Sequence, residues 1–562
     1  MPQTPTTPAA DPKDSITLFS RRAVPWRAAG WSERRAAAHL LSRFTYGARP
    51  GEIDRLLDLG LDRWLERQLA AEEPEADLDR RGRTLPALAL SGPEIVAHYP
   101  RKARRSKTAG AAGGVESPRE LARQLVAWKL WRVQLAENQL AEVLADFWFN
   151  HFNVSATDNA ARPHLLAYER DAIRPRVLGR FRSLLGAVAR HPAMLLYLDN
   201  ARSTAAAGAP TLVSDRFGRR AKMEPKRPRG LNENFGRELL ELHTLGVDGG
   251  YSQQDVIDVA RAFTGWTVGA SGSRGEGEFL FRPGAHDSGP KSVLGRSLPR
   301  GRGIEDGEQV LDLLAAHPKT AERIASKLAV RFVGDRPASE LVARLSRTFT
   351  ASGGDLRATI ADLSVAPEFW DDQTRGAKIK SPLELAASAL RGLDAELLEP
   401  LGVSREIARM GQKLYAYEAP TGYPDRAETW VNSGSLLARM SFGLELAANS
   451  ISGVEVDLDR LFSSREPASA AAALEAAADR LMPERDDEAL RRRLAPWLSS
   501  PDLAARLRSE APPIPAPLPD EVGEPLLDPS SEPSRGVPAK SPAASLAQVV
   551  GLILGSPEFQ RR

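Results

Sequence analysis

The chain has 562 residues, of which 42% are hydrophobic and 27% charged, and Lys plus Arg exceed Asp plus Glu by only 76 to 73. This near balance argues against nucleic acid as the main partner, and the longest apolar run is too short to form a membrane-spanning helix. The absence of cysteine excludes disulfides, thiolate nucleophiles and thiolate metal sites, and leaves His, Asp and Glu as the strong metal ligands.

The chain begins with a segment that does not have the pattern of an export signal. In residues 1–31, Pro25, Trp26 and Arg27 stand where a signal peptide needs a continuous apolar run. We therefore expect a disordered tail and a cytoplasmic protein, with export left open as the alternative. From Ser32 onwards, short amphipathic segments with glycine stops predict a main helical domain over residues 32–450.

Two basic segments and one β-rich segment interrupt this helical domain. Residues 100–116 and 201–231 combine basic residues with glycine, alanine or proline, which predicts exposed loops. The sequence EFLFRPGAHDSGPKSVLG alternates and turns, which predicts a short β-hairpin at about residues 276–298.

The C-terminal part has a different composition. Residues 451–510 are alanine-rich and predict a helical extension, whereas residues 511–542 contain ten prolines and predict an extended linker. Residues 543–562 are expected to form a helix that docks back on the body. The predicted fold class is mainly α, a multi-helical, bundle-like body with a small β-hairpin insertion.

The most polar helical stretch is NENFGRELLELHTLGVDGG, residues 232–250. Asn232 can cap a helix and Gly246 can end it in the left-handed conformation, so we predict one helix from about Glu233 to Leu245. At about 100° per residue, the polar band of this helix carries Asn234, Arg237, Glu238 and Glu241. His243 lies roughly opposite Asn234.

Two interpretations of this polar band stay open. The i,i+4 spacings of Arg237 with Glu233 and with Glu241 are explained by helix stabilisation alone, at a few tenths of a kcal/mol. In the functional interpretation, Glu238 and Glu241 are partly buried carboxylates for acid–base or metal chemistry, and Arg237 holds an anionic group. The candidate catalytic residues are Arg237, Glu238, Glu241 and His243. The candidate binding residues are Asn232, Glu233, Asn234, Arg261, Trp266 and Lys291.

A divalent metal is a possible cofactor, although the helix itself has no pair of histidines at i and i+4. Its ligands would come from His151 in FWFNHFNV and from His286 and Asp287 in HDSGPK. The more common role of any one of these histidines is a hydrogen-bonded position in the core. No phosphate loop, dinucleotide fingerprint or serine nucleophile elbow is visible.

Several motifs occur together in one order along the chain. They are AAHLLSRFTYG with GLDRWLERQL, FWFNHFNV, GLNENFGRELLELHTLGVDGGYSQQDVIDVARAFTGWT, FRPGAHDSGPKSVLG, HPKTAERIASKLAVRFV, KSPLEL and PTGYPDRAETWVNSGSLLARMSF. This order resembles the bacterial domain-of-unknown-function 1800 family over about residues 32–442 and again at GSPEFQ. The resemblance implies a mostly helical fold and carries no established activity. It also implies a possible partner of the domain-of-unknown-function 1501 family, whose members resemble alkaline phosphatases and sulfatases and are often exported.

Two functional hypotheses follow. The first is an enzyme with a polar pocket, lined by the helix at 232–243, His151 and His286, that performs hydrolytic or other acid–base chemistry, with or without a metal. The alternative is a non-enzymatic scaffold or accessory protein that works with the phosphatase-like or sulfatase-like partner. In that case the same polar residues form a buried network that fixes the register of the helices.

Overall fold

The computed structural model describes residues 23–100, 117–217, 230–270, 275–462, 467, 469–483, 487–494 and 544–562. The fold is mainly α with small hairpins, as predicted. Most of the expected tail, the basic loop after residue 100, the centre of the second basic loop and the proline-rich segment lie outside the described residues. Within the described ranges, none of the helices has the length and apolar character needed to cross a bilayer.

The first half of the chain consists of short and medium-length helices. The α-helices are Glu33–Phe44, Glu52–Leu59, Leu61–Ala70, Ala76–Gly82, Gly92–His98, Pro118–Leu135, Gln139–His151, Leu165–Ala167, Phe181–Arg190, Pro192–Tyr197 and Leu212–Phe217. Short 3-10 turns lie at Pro86–Ala89, Arg162–His164, Arg174–Arg176 and Asn200–Arg202, and a π-helix at Tyr168–Ile173.

The second half continues the helical body. Its α-helices are Asn234–Glu238, Gln253–Ala262, Ile304–Ala315, Pro318–Phe332, Ser339–Ala351, Leu356–Ser364, Pro382–Gly392, Leu401–Arg409, Ala427–Trp430, Ser433–Ala447, Leu458–Leu461, Ala470–Leu481, Asp487–Leu494 and Ala544–Gly555. Further 3-10 turns lie at Pro367–Trp370 and Asp372–Thr374. Buried aliphatic and aromatic side chains from both halves form one continuous core.

The predicted β-hairpin is present as parts of two antiparallel pairs. The strand Phe279–Phe281 pairs with the earlier strand Trp266–Val268, and Lys291–Val293 pairs with Arg296–Leu298. The second pair turns through Leu294 and Gly295, which both have positive φ, as a tight hairpin requires. A third pair joins Glu396–Leu397 to Val454–Glu455 in the described part of the chain.

The prediction of one α-helix over residues 233–245 is wrong in its second half. Asn234–Glu238 is α-helical, but Leu239–Thr244 is a π-helix in which each turn holds an extra residue. The Leu245 N–H donates to the Leu240 carbonyl at 2.8 Å, and the Thr244 hydroxyl donates to the Leu239 carbonyl at 2.7 Å. Gly246 then ends the helix with φ of +92°, as predicted.

Residues 23–31, the last part of the expected tail, lie against the body. The Val24 N–H donates to the Asp62 carboxylate at 2.9 Å. The Trp31 ring is buried and stands edge-on to His39, with the ring centroids 5.0 Å apart.

The helix Ala544–Gly555 crosses the helix Ser433–Ala447 at very short distance. A Cβ atom added at Gly443 would lie 2.8 Å from the Gly551 carbonyl oxygen and 2.9 Å from the Leu554 Cβ. The two glycines therefore allow the helix backbones to approach each other, and nothing larger fits at their crossing.

This crossing gives a stability prediction. We expect Gly443→Ala to lower the free energy of unfolding by about 1–3 kcal/mol, because the new methyl group meets backbone atoms that cannot move independently. Urea unfolding at neutral pH measures the change. Gly434→Ala in the same helix is the control: its Cβ would meet only Asn432 Oδ1 at 3.6 Å. A Gly443→Ala variant as stable as Gly434→Ala would contradict the close crossing.

Candidate functional site

A cavity of about 300 Å³, partly open to solvent and with several charged side chains in its walls, lies where distant segments of the chain meet. Its walls come mainly from the helices Gln139–His151 and Pro318–Phe332 and from the segment 412–430, and the helix Pro118–Leu135 adds Lys129. The lining includes charged and hydrogen-bonding side chains from Lys129, Asp146, Asn150, His151, Asn153, Lys327, Arg331, Tyr415, Tyr417, Tyr423 and Asp425. A cavity of this volume is at the lower end of the range for small-molecule sites.

The amine of Lys327 and the imidazole of His151 form a hydrogen-bonded pair in the cavity wall. His151 Nε2 lies 3.1 Å from the His243 carbonyl oxygen, which can only accept, so Nε2 carries the proton. In the neutral ring Nδ1 is then an acceptor, and it faces Lys327 Nζ at 2.8 Å. The backbone at residue 243 thus fixes the tautomer of His151 and presents a lone pair to the amine.

The surroundings of this pair disfavour positive charge. Burial, together with the nearby guanidinium of Arg323, lowers the pKa of Lys327 to about 7. Burial also lowers the pKa of His151 well below its usual value, and the Lys327 amine adds to that effect. Asp425 favours the charged amine from a longer distance, but this carboxylate is itself paired with Lys378 at 2.9 Å. Near neutral pH, a large fraction of the Lys327 amine is therefore uncharged.

A second amine in the same cavity is held in the opposite state. Lys129 Nζ lies 2.8 Å from Asp146 Oδ1, and both side chains are largely buried. Burial opposes the charge on Lys129, but the carboxylates of Asp146 and Glu169 outweigh it and raise the pKa of the amine. One cavity thus holds an ion-paired ammonium and an amine that pairs with no carboxylate of the described residues.

A buried chain of ion pairs supports the cavity wall. Glu142 accepts from Arg132 Nε at 2.7 Å and from Arg174 Nη1 at 2.6 Å. Arg174 also pairs with Glu169, which accepts the Tyr415 hydroxyl at 2.5 Å. The position of Tyr415 in the cavity therefore depends on charges that lie outside it.

The motif FWFNHFNV holds the segment that closes the cavity. The Asn150 amide donates to the Tyr423 carbonyl and accepts from the Tyr423 N–H, both at 2.8 Å. The Asn153 amide donates to the carbonyls of Tyr417 and Ala419 at 3.0 and 2.7 Å. Both asparagines flank His151, so one motif supplies the imidazole and anchors the opposite wall.

Aromatic rings line one side of the cavity. The Tyr417 and Tyr423 ring centroids are 4.3 Å apart, and those of Tyr423 and Trp430 are 5.4 Å apart. A surface of this kind can pack against the carbon skeleton of a small molecule, and the amine and imidazole beside it can form hydrogen bonds.

The carboxylates predicted as catalytic do not line this cavity. Glu238 and Glu241 are half-buried, and burial with the charge of Glu241 raises the pKa of Glu238. Glu241 accepts the Tyr251 hydroxyl at 3.4 Å. Arg237 contacts Glu233 at 3.4 Å and Gln253 at 3.0 Å on the same partly exposed face.

Three of the predicted residues at this helix have smaller roles in the structure. The Asn232 side chain accepts the Asn234 N–H at 2.9 Å, and Asn234 is exposed. His243 is buried beside Phe152 and His151, and its Nε2 has no hydrogen-bond partner in the part of the chain that the structure describes. Burial lowers the pKa of His243 to about 3, so this ring is neutral.

His286 and Asp287 lie in a separate cluster. Arg261 binds Asp287 at 2.8 Å and Asp258 at 2.6 Å. Lys291 Nζ lies 2.7 Å from Asp306, and His286 Nε2 lies 3.5 Å from the same carboxylate. Trp266 is fully buried in the same region.

The residues predicted as metal ligands are therefore separated. His151 lies beside His243, with the ring centroids 6.4 Å apart, whereas His286 and Asp287 belong to the network of Arg261 and Lys291. Across the described ranges, no group of three His, Asp or Glu side chains is placed to hold a metal ion.

Lys327 was missed at the sequence level, although a signal for it exists. Arg323, Lys327 and Arg331 stand at i, i+4 and i+8 of one helix, with no acidic residue among them on that face. Like charges at this spacing destabilise an isolated helix, so their partners must come from elsewhere in the fold. That pattern indicates a buried or functional cationic row.

The fold is that of a mainly helical protein, with a cavity in which a buried amine contacts an imidazole. The chain belongs to the family described as protein of unknown function (DUF1800), whose model matches residues 39–561, and this confirms the predicted family. No curated protein and no solved structure matches the chain.

Proposed function

We propose that the chain is an enzyme that performs acid–base chemistry on a small polar molecule in the cavity beside Lys327. One observation carries the proposal: a buried amine lines a polar cavity, and its hydrogen-bonding partner is a neutral imidazole at 2.8 Å. An amine with a pKa near the working pH is suited both to accept and to donate protons. In ordinary structural roles, a buried lysine is instead paired with a carboxylate, as Lys129 is with Asp146.

In this proposal the residues have distinct roles. Lys327 exchanges a proton with the substrate, and His151 accepts or returns that proton through Nδ1. The His243 carbonyl keeps His151 in the required tautomer. Tyr417 and Tyr423 contact the carbon skeleton. Three further hypotheses stay predictions from the sequence: a metal that assists the chemistry, a cytoplasmic location, and catalytic roles for Glu238 and Glu241. Metal analysis of the purified protein tests the hypothesis of a bound metal.

The test follows metabolites in a cell extract. The purified full-length protein and its Lys327→Met variant are each incubated with the extract, and mass spectrometry follows the amount of every small molecule. We expect the unchanged protein to consume at least one metabolite. The Lys327→Met variant should consume that metabolite at least 100-fold more slowly, which is typical for removal of an acid–base group.

The matched control is Lys319→Met. Lys319 lies in the same helix as Lys327, but its side chain is 49% exposed and pairs with Glu322 outside the cavity. This variant is expected to keep the full rate. Equal consumption by Lys327→Met and the unchanged protein would refute the proposal, and so would the absence of any consumed metabolite.

A second candidate function is a helical scaffold or accessory protein for a domain-of-unknown-function 1501 partner. Its support is the ion network at Arg261, Asp287 and Lys291, whose charges are paired within the chain. Such a network stabilises one arrangement of the helices without any chemistry. Co-purification of the partner from cells that contain both proteins would support this role, and separate elution of the two would count against it.

A further inference from the structure

We propose that Lys327 forms an imine with a small aldehyde or ketone substrate in the cavity. This inference rests on the proposed function and deepens it, because it names the chemical class of the substrate and the bond that forms.

The hydrogen bonds around Lys327 leave the amine ready to react. His151 Nε2–H donates to the His243 carbonyl, so His151 Nδ1 can only accept from the amine. An uncharged amine that donates one N–H to Nδ1 retains its second N–H and its lone pair. Because Lys327 lines the cavity, these are available to a carbonyl carbon bound there.

Imine formation requires only the amine of Lys327, the imidazole of His151 and the carbonyl compound. The Lys327 nitrogen attacks the carbonyl carbon, a C–N bond forms, and the carbonyl π electrons move to oxygen. The proton released from nitrogen passes to His151 Nδ1 and then to the oxygen, which gives a carbinolamine. A further proton transfer along the same path lets the hydroxyl group leave as water, and a C=N bond remains. The sum is amine plus carbonyl giving imine plus water, with no oxidant or reductant.

The two lysines of the cavity differ in a way that favours Lys327 as the residue that forms the imine. Lys129 is ion-paired with Asp146 at 2.8 Å, so its nitrogen has no free lone pair. Lys327 has a neutral partner, and an amine desolvated in this way is the usual form of a lysine that attacks carbonyl groups. The aromatic side chains of Tyr417 and Tyr423 add a surface for the carbon chain of the substrate.

The test traps the imine by reduction. The purified full-length protein is incubated at pH 7 with glycolaldehyde, and separately with pyruvate, in the presence of sodium cyanoborohydride. Peptide mass spectrometry then measures the adduct on each lysine. We expect adduct at Lys327 to form at least ten times faster than at Lys129 or at the exposed Lys319. An amine with a pKa of about 7 is half uncharged at this pH, whereas an ordinary lysine, with a pKa of about 10.4, is uncharged in only about one molecule in 2,500.

The main comparison is between different lysines of the unchanged protein, so its outcome does not depend on whether a variant folds. His151→Gln adds a second measurement: it is expected to slow adduct formation at Lys327 and to leave that at Lys319 unchanged, with folding checked by circular dichroism. If, with both glycolaldehyde and pyruvate, the adduct formed no faster at Lys327 than at Lys129 or Lys319, the proposal that Lys327 forms an imine would be overturned. If Lys327→Met still abolished consumption of a metabolite, the enzyme proposal would stand with Lys327 as a proton carrier alone.

Discussion

Glu142→Gln is expected to lower the free energy of unfolding by roughly 3–5 kcal/mol, the range found when one partner of a buried ion pair is removed. Glu142 is almost fully buried and accepts hydrogen bonds from Arg132 and Arg174. Glutamine keeps the shape of the side chain but removes the negative charge, so two guanidinium groups lose their shared counter-ion. Urea unfolding at pH 7 measures the loss.

The pH dependence of this loss follows from the pKa of Glu142. Burial opposes the charge on Glu142, but Arg132 and Arg174 outweigh it and lower the pKa to about 2. A folded-state pKa below the unfolded value of about 4.5 means that the stabilisation is complete above pH 4.5 and is lost as the pH falls towards 2. The difference between the unchanged protein and the variant should therefore shrink over this window.

An exposed pair provides the control for Glu142. Glu322→Gln removes the partner of Lys319, and because both side chains are about half exposed, we expect a loss of less than about 1 kcal/mol. If Glu142→Gln cost no more than Glu322→Gln, the buried network would not stabilise the cavity wall in the way described.

Lys327→Met is expected to make the protein more stable near neutral pH while it removes the proposed activity. The amine has a folded-state pKa of about 7, below the value of about 10.5 of an unfolded lysine. Between these values the unfolded chain binds more protons, so the lysine destabilises the fold by an amount that falls as the pH rises. Below pH 7 the penalty is complete, and methionine removes it, which corresponds to a gain on the order of a few kcal/mol.

Urea unfolding of both proteins at pH 6, 8 and 10 checks this prediction. The advantage of Lys327→Met should decrease from pH 7 to pH 10.5, and Lys319→Met should show no comparable trend. An advantage that stayed constant across this window would mean that Lys327 is charged in the folded protein. In that case the amine would lack the free lone pair on which the proposed chemistry depends.

The fold class could be predicted from the sequence because amphipathic periodicity and helix-ending glycines are local signals. Gly246 ends its helix where expected, and the two strand pairs lie near the predicted hairpin. The π-helix at Leu239–Thr244 could not be predicted, because its side-chain pattern does not differ from that of an α-helix. Its stability comes from contacts with the rest of the body.

The cavity could not be predicted for a different reason. Its walls come mainly from residues 139–151, 318–332 and 412–430, with Lys129 from a further helix, and nothing in one segment identifies the others as neighbours. A histidine between aromatic residues marks His151 in the sequence, whereas Lys327 is indicated only by its spacing to Arg323 and Arg331 in one helix. The carboxylates of Glu238 and Glu241 are close in sequence, so the sequence favours the polar band over a site built from distant segments.

The π-helix also determines which changes of chain length this region tolerates. The π-turn accommodates one extra residue, so deletion of one residue within 239–244 would convert it to an ordinary α-helical turn and change the backbone path inside the turn, while the later residues keep their places. The carbonyl of residue 243 would then move away from His151, and the imidazole would lose the contact that sets its proton. Homologous chains that keep this site should therefore accept substitutions here far more readily than insertions or deletions.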